Sequence, residues 1–144
     1  MCMICGIRNM EGDILKINKQ RVLDEFYELI SIPCPSTQER AVADLLTRRL
    51  EELGGVVTED NTAAEVNGTS GNLVANFKGN VPGAKTILLS AHMDCVNPCA
   101  GIKPHIEDGV IKSDGTTILG GDDKGGVVAI TQIDRSQLII VTHQ

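Results

Sequence analysis

Residues 86–94 read TILLSAHMD, and this stretch decides how the rest of the chain is interpreted. The apolar run over residues 86–91 predicts a buried central strand. Side chains two apart on an extended chain point the same way, so His92 and Asp94 are expected to share one face just past the strand. Ligands of α/β sheets gather outside the carboxyl ends of strands. A histidine beside a carboxylate there fits a metal ligand and the partner that orients it, although an isolated H-x-D is more often structural or at the surface.

The residues before this strand predict two helices and two short strands. Apolar side chains recur at helical spacing over residues 19–30, and the prolines at 33 and 35 end that helix. Ser36 and Glu39 form an S-x-x-E pattern, typical of a capping box, which predicts a second helix to about Leu53. Residues 56–59 and 72–78 are expected to be strands, separated by a polar loop over residues 60–71.

The residues after the strand predict a hairpin, a loop and a last helix. Ile106 and residues 110–112 flank a Glu-Asp-Gly turn, which indicates a β-hairpin. Residues 113–121 are rich in glycine and threonine and are expected to form a loop. A helix is expected to begin near Asp123 and to run to about residue 135. Helices that alternate with strands in this way are typical of an α/β fold with helices on the faces of a sheet.

Composition and charge exclude several classes of protein. The chain has 144 residues, which fits one domain, and only 2% of them are aromatic, so the core is expected to be aliphatic. The net charge is −6 and no basic patch is present, which argues against nucleic acid or an anionic membrane as a partner. Five cysteines without a signal-peptide pattern favour reduced thiols and a cytoplasmic location.

A second polar segment, LGGDDKGG at residues 119–126, places two adjacent carboxylates between paired glycines. Such glycines allow tight backbone near a charged ligand. The alternative is a solvated turn before a helix N-terminus, where aspartate is favoured. A phosphate-binding loop is disfavoured, because Asp122 and Asp123 would repel phosphate and the G-x-x-x-x-G-K-[ST] pattern is absent.

In their order and spacing, SAHMD (90–94), GIKP (101–104), DG (108–109) and SDGTTILGGDDKGG (113–126) resemble peptidase T-like proteins. These belong to the zinc exopeptidase and deacylase family that includes tripeptide aminopeptidase, glutamate carboxypeptidase and acetylornithine deacetylase. The resemblance covers residues 17–130 and implies the N-terminal part of a catalytic domain, with a mixed sheet flanked by helices. Residues 1–16 then form an N-terminal extension, and residues 131–144 form a divergent tail.

The resemblance also implies a function and roles for single residues. It implies hydrolysis of the N-terminal peptide bond of small peptides with two zinc ions, in a protein whose full-length relatives can form homodimers. His92 is expected to bind one zinc, Asp122 to bridge both, and Asp94 to act at the catalytic site by orienting His92. Asp123 and Lys124 are expected to be neighbours in the motif rather than ligands.

Several parts of the family's site are missing from this sequence. The family needs an adjacent Glu-Glu pair, a further acidic ligand and a late histidine, and no glutamate follows Glu107. Loss of a general base costs about 10²–10⁴-fold in rate. His143 is a poor replacement ligand, because a histidine so near a terminus is usually solvated. We therefore expect the chain alone to be inactive, and its tail to reflect a truncated or frameshifted reading frame.

The sequence also allows two alternative functions, a structural zinc module and a protein-interaction module. Cys2, Cys5, Cys95 and Cys99 have spacings that would allow a structural zinc site, although free thiols are expected more often. An incomplete sheet would also expose an edge and apolar helix faces, which would suit a protein-interaction module.

Overall fold

The computed structural model describes residues 18–79, 85–132 and 138–143, the last range by its backbone alone. The expected extension at residues 1–16, and with it Cys2 and Cys5, lies outside the described residues, as does the side chain of His143. None of the helices in these ranges has the length and apolarity needed to cross a membrane.

The first helix, α1, spans Lys19–Ser31, close to the prediction. Its N-cap residue is Asn18, whose side chain accepts a hydrogen bond from the Arg21 amide at 3.1 Å, and this satisfies one of the free amides of the first turn. It ends before Pro33, which cannot continue a helix. Its apolar stripe buries Phe26, Leu29 and Ile30.

The second helix, α2, spans Arg40–Glu52, but the predicted capping box is wrong. Its N-cap residue is Glu39, which makes no side-chain capping bond. The Ser36 hydroxyl donates instead to Asp94, a residue 58 positions away. The Glu39 carboxylate is fully buried and accepts a hydrogen bond from the Thr37 amide. A tertiary contact therefore overrides the local pattern.

Four strands form a mixed sheet in the order β1-β2-β6-β3. They are β1 (Val56–Glu59), β2 (Leu73–Asn76), β3 (Ile87–His92) and β6 (Leu138–His143). β1 and β2 are antiparallel, β6 is antiparallel to β2, and β3 runs parallel to β6. The α/β class and the mixed sheet flanked by helices are confirmed.

The position of β3 and the structure of the tail differ from the predictions. β3 was expected to be central and buried, but it lies at an edge of the described sheet, and Ile87 and Leu88 are exposed. No strand was predicted in the tail, yet the backbone of residues 138–143 forms β6 between β2 and β3. The loop predicted over residues 60–71 also contains a short helix, α3 (Ala63–Val66).

The remaining elements follow the predictions. β4 (His105–Glu107) and β5 (Val110–Lys112) form an antiparallel hairpin, and its turn residues Asp108 and Gly109 both have positive φ, as tight hairpins require. The last helix, α4, spans Gly121–Thr131, and the residues after Gln132 to which it was expected to extend lie outside the described ranges.

Helices α2 and α4 pack on the sheet, and α1 packs on α4. The core between them is aliphatic and sulfur-containing, as the composition predicts, and Phe26 is its one aromatic side chain within the described ranges. This packing brings the start of α4 to the carboxyl end of β3.

Candidate active site

The end of β3 presents the first two residues of the candidate site. His92 is the last residue of the strand, and its Nδ1 lies 2.9 Å from Asp94 Oδ1. The carboxylate accepts a hydrogen bond from Nδ1–H, which leaves Nε2 pointing away from Asp94. The alternation predicted for an extended chain therefore places these two side chains together.

The start of α4 supplies the third residue. The helix begins after Gly120, which has a φ of +78°. Asp122 and Asp123 have non-helical backbone angles within this first turn, and the peptide bond between them is cis. The Asp122 carboxylate reaches back to β3, where Oδ1 lies 3.2 Å from His92 Nε2. Its side chain is 98% exposed, so it faces solvent above the imidazole.

His92 is therefore held between two carboxylates. Burial lowers the pKa of His92, but its hydrogen bonds to Asp122 and Asp94 outweigh that effect, so the pKa is raised. Burial raises the pKa of Asp94, whereas hydrogen bonds from Ser36 and His92 lower it and prevail. When both ring nitrogens carry protons, the imidazolium bridges Asp94 and Asp122.

The residue types at Nε2 fit a metal ion only in part. An imidazole nitrogen and a carboxylate oxygen are donors that zinc accepts, and a carboxylate on Nδ1 is the usual outer partner of a zinc-bound histidine. A catalytic zinc takes three protein ligands. Within the described ranges no group of three or more His, Cys, Asp or Glu side chains is close enough to hold an ion. His92 and Asp122 thus form a partial ligand set.

The two motif neighbours of Asp122 have structural roles. Asp123 Oδ1 accepts a hydrogen bond from the Gly126 amide at 2.9 Å, which fixes the first turn of α4. A Cβ at Gly126 would lie only 2.2 Å from that same oxygen, so any larger residue there would displace the Asp123 carboxylate. Lys124 is fully buried, and its ammonium group donates to the Met93 carbonyl and to Cys34 Sγ, the latter at 3.0 Å.

Sequence reasoning missed three residues next to the site: Ser36, Cys34 and Lys124. Ser36 Oγ donates to Asp94 Oδ2 at 2.5 Å. Cys34 Sγ lies 3.8 Å from Cys95 Sγ beneath the loop that carries Asp94. No sequence signal joins these residues, because they lie about 30 to 90 positions from their partners.

Cys95 and Cys99 form the described half of the hypothetical four-cysteine zinc site. Both are buried, with Cys95 against Cys34 and with Cys99 Sγ 3.7 Å from Asn97 Oδ1. The other half of that hypothetical site lies outside the described residues.

Several solved structures are similar to this chain in fold. PepT, an aminopeptidase from Bacillus cereus, matches with a TM-score of 0.83 and 36% identity over 88% of this chain. A tripeptidase from Staphylococcus aureus matches with a TM-score of 0.82 and 34% identity over the same share. The described fold is that of part of a PepT-like peptidase. An aminoacylhistidine dipeptidase from Vibrio alginolyticus, at 23% identity and a TM-score of 0.67, shares the PepT-like fold.

The two solved structures with more than 30% identity are peptidases, which supports a peptidase-like fold without distinguishing the subtypes of the family. The uncharacterised protein YqjE of Bacillus subtilis strain 168 is 41% identical over 114 residues, or 79% of this chain. No family model matches. The chain spans 30% of YqjE and 36% of each of the first two peptidase structures, so it corresponds to about a third of these proteins.

Proposed function

We propose that this chain provides one part of a two-zinc peptidase site, with His92 as a ligand of one zinc and Asp122 as the carboxylate that bridges both. The observation that carries the proposal is the 3.2 Å approach of His92 Nε2 to Asp122 Oδ1, made while Asp94 holds Nδ1. Two donors of the kinds zinc accepts thus face each other, at the carboxyl end of a strand in a peptidase-like fold.

Each residue has a distinct task in this proposal. Asp94 accepts a hydrogen bond from Nδ1–H and so keeps the lone pair of the neutral ring on Nε2, on the side of Asp122. Asp122, exposed and negatively charged, offers two oxygens to one or two cations. When bound, a pair of zinc ions would polarise the substrate carbonyl and acidify a water enough for it to attack at neutral pH. Any proton on Nε2 must leave before His92 can bind metal, so zinc binding releases it.

The substrate class follows from the neighbours rather than from a described pocket. A PepT aminopeptidase and a tripeptidase share the fold, so we propose that the whole protein cleaves the N-terminal peptide bond of small peptides. A cytoplasmic location and a homodimeric whole protein belong to the same proposal. The described residues bring together only His92 and Asp122 as ligands, and the sequence has no glutamate after Glu107. We therefore propose that the chain alone binds zinc weakly and does not hydrolyse peptides.

Calorimetric titration of the full 144-residue chain with Zn²⁺ tests the proposal. His92→Ala is expected to weaken zinc binding by at least about tenfold, since even an outer partner of a ligand is worth that much. His105→Ala is the matched control, because His105 is an exposed histidine of the hairpin. Equal affinity in wild type and His92→Ala would contradict the proposed ligand, and loss of zinc only in cysteine variants would favour the structural zinc site instead.

A tripeptide-cleavage assay on the same samples tests the second half of the proposal. No cleavage that a chelator can abolish is expected from the chain alone, because the general base and most ligands of the family's site are absent. Chelator-sensitive cleavage would show that the described residues suffice for catalysis.

A further inference from the structure

Both oxygens of the Asp94 carboxylate are occupied by side chains. Oδ1 accepts from His92 Nδ1 at 2.9 Å, and Oδ2 accepts from the Ser36 hydroxyl at 2.5 Å. We infer that Ser36 is a positioning residue of this site: it holds the Asp94 carboxylate in the orientation that keeps the proton of His92 on Nδ1. The inference rests on the proposed function only for its consequence in zinc binding.

The chain segment that carries Ser36 runs beside the segment that carries Asp94. The Cys95 amide donates to the Cys34 carbonyl at 2.9 Å, and Pro35 pairs with Cys95 in a parallel bridge. This backbone pairing sets the register between the α1–α2 connection and the loop after β3. This pairing of the two backbone segments places Ser36 next to Asp94.

Thr37, the next residue, supports a specialised role for this turn. Its φ is +72°, a left-handed conformation that is costly for a β-branched side chain. Strained residues of this kind persist only where the surroundings hold them, and they cluster at functional sites. Three hydrogen bonds fix the turn: from the Thr37 amide to Glu39 Oε1 at 2.5 Å, from the Gln38 amide to the Pro35 carbonyl, and from the Thr69 amide to the Thr37 carbonyl.

The buried Glu39 helps to hold the turn that carries Ser36. Its carboxylate is fully buried at the start of α2, and Oε1 accepts a hydrogen bond from the amide of Thr37 in the left-handed turn. A buried carboxylate is costly unless it is hydrogen-bonded. Its use here, rather than in capping α2, fits a turn built to present Ser36.

Ser36 acts on His92 only through Asp94. Its hydroxyl donates to Oδ2 of Asp94, whereas His92 Nδ1 lies against Oδ1. The hydrogen bond also makes the carboxylate a weaker base, which by itself would weaken its hold on Nδ1. If positioning dominates, removal of the hydroxyl lowers the share of the His92 tautomer protonated on Nδ1, and if basicity dominates, removal raises that share. We infer that positioning dominates.

Nitrogen-15 NMR of the His92 ring in the metal-free, full 144-residue chain gives the direct test. At alkaline pH, where the imidazole is neutral, Ser36→Ala is expected to lower the share of the tautomer protonated on Nδ1. Ser36→Thr keeps a hydroxyl and is expected to restore that share. Ser31→Ala is the matched control, because the Ser31 hydroxyl is exposed and bonds only the Glu28 carbonyl of its own helix. An unchanged tautomer ratio in Ser36→Ala would overturn the inference.

Calorimetric titration with Zn²⁺ measures the consequence. Ser36→Ala is expected to bind zinc about three- to tenfold more weakly, somewhat less than the loss of a direct outer partner costs, with an unfolding midpoint close to that of Ser31→Ala. Unchanged or tighter zinc binding would overturn positioning in favour of basicity or of no role. If wild type and His92→Ala bind zinc equally, the proposed function fails, and the tautomer ratio still decides the role of Ser36.

Discussion

At the scale of single residues, Thr37 offers a test of backbone strain. Three residues other than glycine have positive φ in the described ranges, and the other two, Asn67 and Asp108, are types that tolerate it. Thr37→Asn should relieve strain and raise the free energy of unfolding by about 1 kcal/mol. Urea unfolding measures the change, and Thr37→Val, which stays β-branched, should bring no gain. A less stable Thr37→Asn would mean that the turn does not strain threonine.

The same substitution separates strain from the role of Ser36. Thr37→Asn keeps the left-handed conformation, so it should leave the affinity for zinc unchanged even as stability rises. The strain would then be a cost of building the turn and not itself a requirement of the site.

At the scale of elements, the structure separates what local sequence can predict from what it cannot. The helices α1 and α4, the strand β3 and the hairpin were predicted because periodicity, prolines and turn residues act within a few positions of one another. His92 and Asp94 were placed on one face for the same reason. Asp122 was assigned through the resemblance, since 30 residues separate it from His92.

The errors arise where distant parts of the chain decide the outcome. The S-x-x-E pattern fits a capping box locally, but Ser36 finds a charged partner in Asp94 that no local rule anticipates. The apolar run of β3 was expected to be central, but strand order depends on which other strands pair with it. β6 was missed because the tail departs from the family, although its backbone supplies the pairing between β2 and β3.

A buried charged contact joins α4 to the α1–α2 connection and makes stability depend on pH. The hydrogen bond with Cys95 is the largest cause that lowers the pKa of Cys34, and Lys124 lowers it further. Burial acts in the opposite direction, and the pKa of Cys34 is lowered to about 6. The same contact and burial raise the pKa of Cys95. Because the folded-state pKa of Cys34 lies below its unfolded value of about 8.5, the thiolate stabilises the fold fully above that unfolded value. This stabilisation is lost as the pH falls toward about 6.

Cys34→Ser should therefore be more destabilising in alkali than in acid. The difference in unfolding free energy between wild type and Cys34→Ser is expected to shrink between about pH 9 and about pH 5.5, and urea unfolding at both values measures it. Carboxylates that titrate elsewhere cancel in that difference. Cys99→Ser separates the loss of a buried sulfur from the loss of the contact with Lys124, and a difference that stays constant in Cys34→Ser would contradict the ionised pair.

At the scale of the whole molecule, the start of β3 is exposed on both faces of the described sheet. Successive strand residues point to opposite faces, and both Ile87 and Leu88 at the start of β3 are exposed, at 48% and 61%. The edge of β3 that faces away from β6 has no further strand in the described ranges. Exposed apolar strands at a sheet edge favour association with another chain. The match covers 88% of this chain but only 36% of each of the two peptidases that share the fold, so most of their length lies outside the matched part.

We therefore predict that the purified 144-residue chain associates with itself through β3. Leu88→Lys should shift the population toward monomer, because a charged side chain at an edge strand opposes pairing, and should change the unfolding free energy by less than about 0.5 kcal/mol, as is usual for a surface site. Sedimentation velocity over a series of protein concentrations at constant salt measures the shift. Val66→Lys is the matched control, since Val66 is 50% exposed on α3, away from this strand. Equal shifts in both variants would assign the effect to net charge, and a wild-type chain that stays monomeric at every concentration would show that the uncovered edge is protected by its own geometry.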